Sequence, residues 1–209
     1  MLKKMMLLAG MALAAIAFAA PAAQAEPVEW YLHTGPGEEE TLEGTEEIHA
    51  EGALTSHAKI TPTFTFTTGP CNVTLEGTAE NVEGMASGAI TGGSISGFPC
   101  KTNLPGCTVK GASVSNFNWP LTATTNGSDT VDIENVTFTN VYNGCAAFGI
   151  PAESSAKGTV TGEATTEPNE NGESCINLNS HVDDMVGEGS NAPVDITGEI
   201  CITNPLTLK

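Results

Sequence analysis

Positive charge and aromatic side chains are scarce in this chain. Its 209 residues include no arginine and only 7 lysines against 25 acidic residues, a formal net charge of −18, and aromatic residues make up 5%. A surface of this charge repels nucleic-acid phosphates and anionic lipid headgroups. The sequence therefore excludes nucleic acid as a partner.

The chain also lacks the motifs that common catalytic and metal sites require. It contains no G-x-S-x-G nucleophile elbow, no H-E-x-x-H zinc motif and no D-x-[DN]-x-[DN]-G calcium loop. Paired carboxylates could serve a glycoside-acting enzyme, but 25 acids single out no particular pair. We predict that the protein is not an enzyme, with a glycoside-acting enzyme as the alternative.

No long apolar run follows residue 20, and the run before it has the features of an export signal. Lys3-Lys4 precedes the apolar stretch from Met5 to Ala20, and Ala23-Gln24-Ala25 provides a small-x-small cleavage site. The run is shorter than the roughly 20 residues that span a bilayer. We predict a cleaved signal helix over residues 1–25 and no membrane insertion afterwards. The protein is then secreted or held at the cell surface, or periplasmic if the host has an outer membrane.

Glycine and threonine are abundant, and from residue 59 onward the hydrophobic period is two. Phe64 and Phe66 alternate with threonines, and Val194 and Ile196 alternate with polar residues. This alternation is typical of antiparallel strands with one buried face. We predict an all-β fold over residues 59–209, an antiparallel β-sandwich with Greek-key or jelly-roll-like connections, rather than a closed barrel.

Local signals divide this region further. The apolar phase changes near Glu134-Asn135, which predicts a β-bulge. Five dipeptides predict turns: Gly69-Pro70, Gly92-Gly93, Asn126-Gly127, Asn143-Gly144 and Asn171-Gly172.

Residues 26–58 differ in composition from the rest. They hold Glu38-Glu39-Glu40 and Glu46-Glu47, preceded by Gly35-Pro36-Gly37. Such a segment is either a flexible acidic arm or an edge strand protected by charge. We therefore treat it as separate from the sandwich domain.

Six cysteines lie beyond the signal peptide, and an oxidising compartment predicts that they form disulfides. The six are Cys71, Cys100, Cys107, Cys145, Cys175 and Cys201. Fifteen pairings are open to six cysteines, and the sequence does not choose among them. The short loop around Pro105-Gly106 favours a bond between its two flanking cysteines, Cys100 and Cys107. The remaining pairs would then be Cys175 with Cys201 and Cys71 with Cys145.

Two kinds of ligand contact are conceivable. Trp119, beside Pro120, could stack on a sugar ring if it is exposed, although a tryptophan that anchors a core edge next to a turn is the commoner arrangement. Acidic clusters could hold calcium through hard oxygen ligands, although solvated acidic loops are commoner. The clusters are Glu38 to Glu40, Glu167/Glu170/Glu173 and Asp183-Asp184.

From Cys71 onward the layout resembles the small secreted bacterial proteins known as activators of alkane oxidation. The similarity lies in Cys71-Asn72-Val73-Thr74-Leu75, the strand around Trp119, Asn143-Gly144-Cys145, residues 194–201 and residues 204–208. The resemblance implies a secreted, surface- or biofilm-associated role and supplies no catalytic residues.

These patterns lead to one functional prediction. The protein is a secreted, non-enzymatic β-sandwich that acts at the cell surface or in the extracellular matrix, in an adhesive, structural or biofilm-associated role. Its partners are surface or matrix components, with self-association through edge strands. The alternative is a soluble extracellular carbohydrate- or calcium-binding module. No cofactor is predicted, with calcium as the alternative.

Overall fold

The computed structural model of the chain describes residues 29–35, 38–124, 130–165, 169, 173–178, 184–188, 191–203 and 206–208. The predicted signal peptide lies outside these residues. Within them, nearly every segment is extended, apart from a 3-10 turn at Ala146–Phe148. None of the helical structure in this part of the chain is long and apolar enough to cross a membrane.

The described residues form fourteen strands. They are β1 Trp30–Gly35, β2 Glu38–Thr41, β3 Thr45–Thr61, β4 Phe64–Val82, β5 Met85–Ser96, β6 Cys100–Lys101, β7 Thr108–Val114, β8 Trp119–Thr124, β9 Thr130–Asn143, β10 Glu153–Ala164, β11 Ser174–Asn177, β12 Asp184–Gly187, β13 Pro193–Ile202 and β14 Leu206–Leu208.

The main sheet is antiparallel and closes on itself. Eight of its eleven strands form a ring in the order β12, β13, β3, β4, β5, β8, β9 and β10, and β10 pairs in turn with β12. Of the other three, β11 pairs with β10 and β13, and β7 pairs with β9 and with β6. Most neighbouring strands are also close in sequence, as in a meander, whereas the sequence predicted Greek-key or jelly-roll-like connections. The long-range pairing of β13 with β3 joins the two ends of the chain. The predicted all-β, antiparallel, sandwich-like fold is confirmed, but the expectation that the sheet does not close is wrong, because β10 pairs with both β9 and β12.

One face of each long strand supplies the core. In β3 the buried Ile48 and Ala50 alternate with Glu47, His49 and Glu51. Inward-facing residues of β3, β4, β5, β9, β10 and β13 join in one apolar cluster between the opposite sides of the sheet. Period-two alternation therefore places the apolar half of each strand inside the fold.

The two ends of the closed sheet differ, and we name them the closed end and the open end. At the closed end a small sheet of β14, β1 and β2 lies over the core, and its Trp30 is fully buried. The indole N–H of Trp30 donates to the carbonyl of Ser87 at 2.9 Å, and its backbone N–H donates to Asn81 Oδ1 at 2.8 Å. The open end holds the β3–β4 hairpin, the β9–β10 connection and the β12–β13 connection.

The domain boundary predicted between residues 58 and 59 is wrong, because it falls inside β3. This strand pairs with β4 along one edge and with β13 along the other. The glutamates of β3 gave this segment the composition of an exposed arm. The inward alternation of Ile48 and Ala50 is the feature that identifies a central strand. The charged edge strand predicted here corresponds only to β2, which lies at the edge of the small sheet.

The predicted bulge is confirmed. Ile133 pairs with Val160 and Val136 with Gly158, so Glu134 and Asn135 together oppose one residue of β10. Asn135 has φ 58°, a left-handed conformation that asparagine tolerates better than most residues. The bulge restores Val136, Phe138 and later even-numbered residues to the inward face.

The predicted turns have mixed outcomes. The turn at Asn143-Gly144 is confirmed, since β9 ends there and Gly144 has φ 76°. Gly69-Pro70 and Gly92-Gly93 lie inside β4 and β5, so those two predictions are wrong. At each place one strand carries an extra residue, and glycine or a proline without an N–H fits such an irregularity. The remaining two turns lie outside the described residues.

Candidate ligand-binding site

A groove crosses the open end of the sheet. Its volume is about 260 Å³. Apolar side chains make up most of its wall: Ala58, Ile60, Phe66, Phe138, Ile150, Pro151, Ala156, Ala192 and Val194. The groove forms here because inward-facing positions near the β3–β4 hairpin carry small or partly exposed side chains. Along β3 the inward residues change from the buried Ile48 and Ala50 to the exposed Ile60.

An apolar cavity of about 90 Å³ lies inside the sheet beside this groove. Leu54, Ile95 and Val114 line it and keep part of their surface accessible although they face inward. The groove and the cavity share Ser56, Phe138 and Asn140 in their walls. These three side chains therefore lie between the two spaces. Together with Thr68, Tyr142 and Ser154, whose hydroxyls adjoin them, we call this boundary the neck.

Uncharged polar groups meet at this neck. Ser56 and Thr68 form a hydroxyl–hydroxyl hydrogen bond across β3 and β4. Ser154 Oγ donates to the Tyr142 hydroxyl at 3.3 Å, and the same hydroxyl interacts with the side chains of Asn140 and Thr68. Thr68, Asn140 and Tyr142 are buried. Burial raises the pKa of Tyr142 above its ordinary value of 10.0, so the phenol is neutral at physiological pH.

Two disulfides hold the strands around the groove. Cys71 in β4 bonds to Cys100 in β6, and Cys107 bonds to Cys145 just beyond β9. These cysteines pack with Phe66, Tyr142, Val109 and Ile150 in a second, smaller core cluster. The disulfides therefore fix the positions of the aromatic and polar side chains that border the groove.

The predicted bond between Cys100 and Cys107 is wrong, and so is the one between Cys71 and Cys145. In the β6–β7 hairpin Cys100 lies opposite Val109, so the two cysteines are not cross-strand partners. One arm of the hairpin contacts β4 through Thr68 and Thr102, and the other pairs with the end of β9. Each cysteine bonds to the strand that its own arm contacts.

The predicted bond between Cys175 and Cys201 is confirmed. The two residues lie directly opposite each other in β11 and β13. Glu199 lies close to both sulfur atoms, the only such metal-sized group among the described residues. Because both sulfurs belong to the disulfide, they are not available as thiolate ligands.

Trp119 does not provide the predicted carbohydrate contact. Its side chain is 2% exposed, and its indole N–H donates to the carbonyl of Ser115 at 3.2 Å. Its ring packs beside Phe117 and faces the interior cavity. The alternative, a core tryptophan next to a turn, is therefore correct.

The members of the acidic clusters that the structure describes do not line the groove. Glu38 to Glu40 form the edge strand β2, where Glu39 contacts His33 Nε2 at 3.2 Å. Glu167, Glu170 and Asp183 lie outside the described residues. Calcium binding stays a prediction.

Sequence reasoning missed the polar groups at the neck. Their signal is present in the strand phase, because Asn140 and Tyr142 share the inward phase of Phe138, and Thr68 shares that of Phe66. A polar residue within an apolar phase marks either a satisfied core hydrogen bond or a site. Only the closed sheet shows that these groups meet beside a cavity.

Comparison with known proteins identifies no relative of this chain. Searches of the chain against protein-family models, curated proteins and solved structures found no match.

Proposed function

We propose that the protein is a non-enzymatic binding protein of an extracytoplasmic compartment, and that its open end takes up a small, largely apolar molecule. The observation that carries this proposal is the pair of adjoining apolar spaces, the groove and the cavity, with buried polar groups at the neck between them. Small-molecule sites in proteins are concave and mostly apolar, with a few polar groups that fix the ligand's orientation.

An apolar ligand suits this chain better than a sugar. Sugar sites of β-sandwich proteins use exposed aromatic rings, and both tryptophans are buried here, with Trp30 at 0% and Trp119 at 2% exposure. Among the described residues that line the groove, the aromatic side chains are Phe66, Phe138 and Tyr142, and they stand among aliphatic neighbours. The groove thus supplies hydrophobic contact rather than a stacking platform.

The cysteines support the proposed compartment. Three disulfides with no free cysteine among the six are typical of proteins that mature in an oxidising environment. Action at the cell surface or in the matrix, self-association there, and the role implied by the resemblance to activators of alkane oxidation stay predictions. Fractionation of a culture into supernatant, washed surface and matrix tests them, since a protein found only in the supernatant contradicts a surface role.

The binding proposal is tested with a neutral solvatochromic dye, Nile red, added to the purified, disulfide-bonded protein. We expect saturable binding with a blue-shifted emission. Ala58→Trp places a large side chain in the groove and should reduce the affinity at least tenfold.

Ala53→Trp is the matched control, because Ala53 is exposed on the same strand and faces away from the groove. It should bind the dye as the wild type does. Thermal unfolding of both variants checks that they are folded, and Ala58→Leu replaces Ala58→Trp if the latter is not. Absence of saturable binding, or equal binding by the groove variant and its control, contradicts the proposal.

A further inference from the structure

The polar groups at the neck between groove and cavity are all uncharged at physiological pH. The hydroxyls of Ser56, Thr68, Tyr142 and Ser154 can each donate and accept a hydrogen bond, and the Asn140 amide can do both. Such a set can satisfy a ligand hydroxyl or carbonyl. It contains no fixed charge that could neutralise an ionised headgroup, and an ion buried without a counter-charge loses much of its hydration energy.

The charges around the groove disfavour an anion. The lining residues that the structure describes include the exposed carboxylates of Glu153 and Glu188 and no lysine. Lys59 lies on the outer face of β3, where its Nζ forms an ion pair with Asp195 Oδ2 at 2.9 Å. A carboxylate or phosphate headgroup would therefore meet two negative charges and no positive one among the described lining residues.

A cation gains little from the same carboxylates. Both are exposed to water, so salt and solvent screen their attraction. An ammonium group at the neck would have to leave water for hydroxyl and amide partners alone. Burial without a carboxylate partner therefore offsets the favourable charge at the rim.

The sizes of the two spaces restrict the shape of the apolar part. The cavity of about 90 Å³ is smaller than the roughly 150 Å³ apolar cavity that holds benzene in an engineered protein. We expect a narrow aliphatic end to fit this small space better than an aromatic or alicyclic ring. The groove of about 260 Å³ can hold the rest of a small molecule.

We infer that the ligand is an uncharged, unbranched amphiphile, an aliphatic chain with a hydroxyl or carbonyl group that hydrogen-bonds at the neck. This inference rests on the proposed function and specifies its ligand class. The chain lies against the apolar walls of the groove and cavity. The uncharged neck disfavours any ion, and the carboxylates of Glu153 and Glu188 at the groove also repel anions.

Competition against bound Nile red tests the inference with eight-carbon ligands that differ only in headgroup. Octan-1-ol, octanoate and octylammonium are compared at neutral pH and moderate salt, below the solubility limit of the alcohol and the micellar concentrations of the two ions. We expect octan-1-ol to bind at least tenfold more tightly than either ion. Cyclooctanol, which has the same headgroup on a ring, should bind more weakly than octan-1-ol.

Two single substitutions locate the headgroup. Ser154→Ala removes one hydroxyl from the neck and should weaken octan-1-ol binding about 3- to 10-fold, the effect of one hydrogen bond. The control is Ser94→Ala, since Ser94 has a comparable hydroxyl contact with Thr74 at 2.8 Å on an exposed part of β5. Octan-1-ol should bind this control as it binds the wild type.

The outcomes separate this inference from the proposed function. If Nile red does not bind, the proposed function fails and the inference fails with it. If Nile red binds in the groove but octanoate or octylammonium competes as well as octan-1-ol, the ligand class is wrong and the proposed function stands. Equal effects of Ser154→Ala and Ser94→Ala would contradict the position of the headgroup.

Discussion

The two ends of the closed sheet are stabilised by different means. At the closed end, Trp30, Leu206 and Leu208 are almost completely buried and fill the space over the core. At the open end, the bonds Cys71–Cys100 and Cys107–Cys145 connect strands around a groove that the protein's own side chains do not fill. Apolar packing stabilises an end by occupying its volume. A disulfide acts mainly on the unfolded chain, so it can stabilise an end and leave room for a ligand.

The largest expected effect is at the closed end. Trp30→Ala removes the fully buried indole and its hydrogen bond to Ser87, and should lower the free energy of unfolding by about 3–5 kcal/mol. Urea denaturation measures this loss. Tyr31→Ala, on the half-buried neighbour in the same strand, should cost clearly less. A similar loss for both would mean that the closed end does not depend on Trp30 packing.

Removal of single disulfides compares the two ends directly. The cysteines of Cys107–Cys145 are 38 residues apart in sequence and those of Cys175–Cys201 are 26 apart. Loop entropy then predicts similar losses of about 3.5–4 kcal/mol when each pair is changed to alanine.

Binding should separate the two disulfide variants even though their stabilities are alike. Loss of Cys107–Cys145 frees the hairpin beside the groove and should weaken Nile red binding. Loss of Cys175–Cys201, whose strands pair near the closed end, should leave it unchanged. Both measurements are made at a temperature where both variants are folded. Equal binding by the two would show that the open end needs no covalent support.

Features that depend on local strand phase could be predicted from the sequence. Strand phase is local, so alternation in β3, β4 and β13 and the phase change at Glu134-Asn135 predicted the elements and the bulge. Residues 26–58 were misassigned because the glutamates outweighed the alternation of Ile48 and Ala50.

The candidate site depends on contacts that no local pattern contains. Cys100 and Cys107 are close in sequence, yet each bonds to the strand that its own arm of the hairpin contacts. Trp119 could be assigned to the interior only once β8 was placed between β5 and β9. The groove arises from the arrangement of three separate connections, and its polar neck joins β3, β4, β9 and β10. Closure of the sheet determines all of these contacts.

A smaller effect on the free energy of unfolding is expected from Tyr142 at the neck, and it depends on pH. Tyr142→Phe removes the hydroxyl that accepts from Ser154 and should cost about 1 kcal/mol at neutral pH. Burial raises the pKa of Tyr142 in the folded protein above 10.0, its ordinary value. The folded state thus holds the phenol proton more tightly than the unfolded state does. The stabilisation by the neutral phenol is complete below about pH 10 and is lost as the pH rises further.

Urea denaturation at several pH values between about 8 and 11 measures this dependence. The wild type should lose stability above about pH 10 more steeply than Tyr142→Phe does. A slope that is unchanged in Tyr142→Phe would contradict the burial of the phenol at the open end.

The smallest effect concerns the boundary between the two ends, which lies at the bulge in β9. Before the bulge β9 pairs with β8, and after it with β7, so the bulge lets one strand serve both regions with its apolar face inward. Asn135 holds the left-handed conformation there, with φ 58°. Left-handed backbone costs a residue with a Cβ about 1–2 kcal/mol, and asparagine bears this conformation better than alanine does.

Asn135→Ala should therefore lower the free energy of unfolding by about 0.5–1 kcal/mol, whereas Asn135→Gly should leave it unchanged or raise it slightly. Glu134→Ala, on the other exposed bulge residue, has no positive φ and should have almost no effect. Urea denaturation resolves these differences. If alanine and glycine at position 135 are equivalent, the bulge does not hold this conformation. The even-numbered residues after it, Phe138, Asn140 and Tyr142, would then need another reason to face the groove and its neck, because a one-residue change of register exchanges the two faces of a strand.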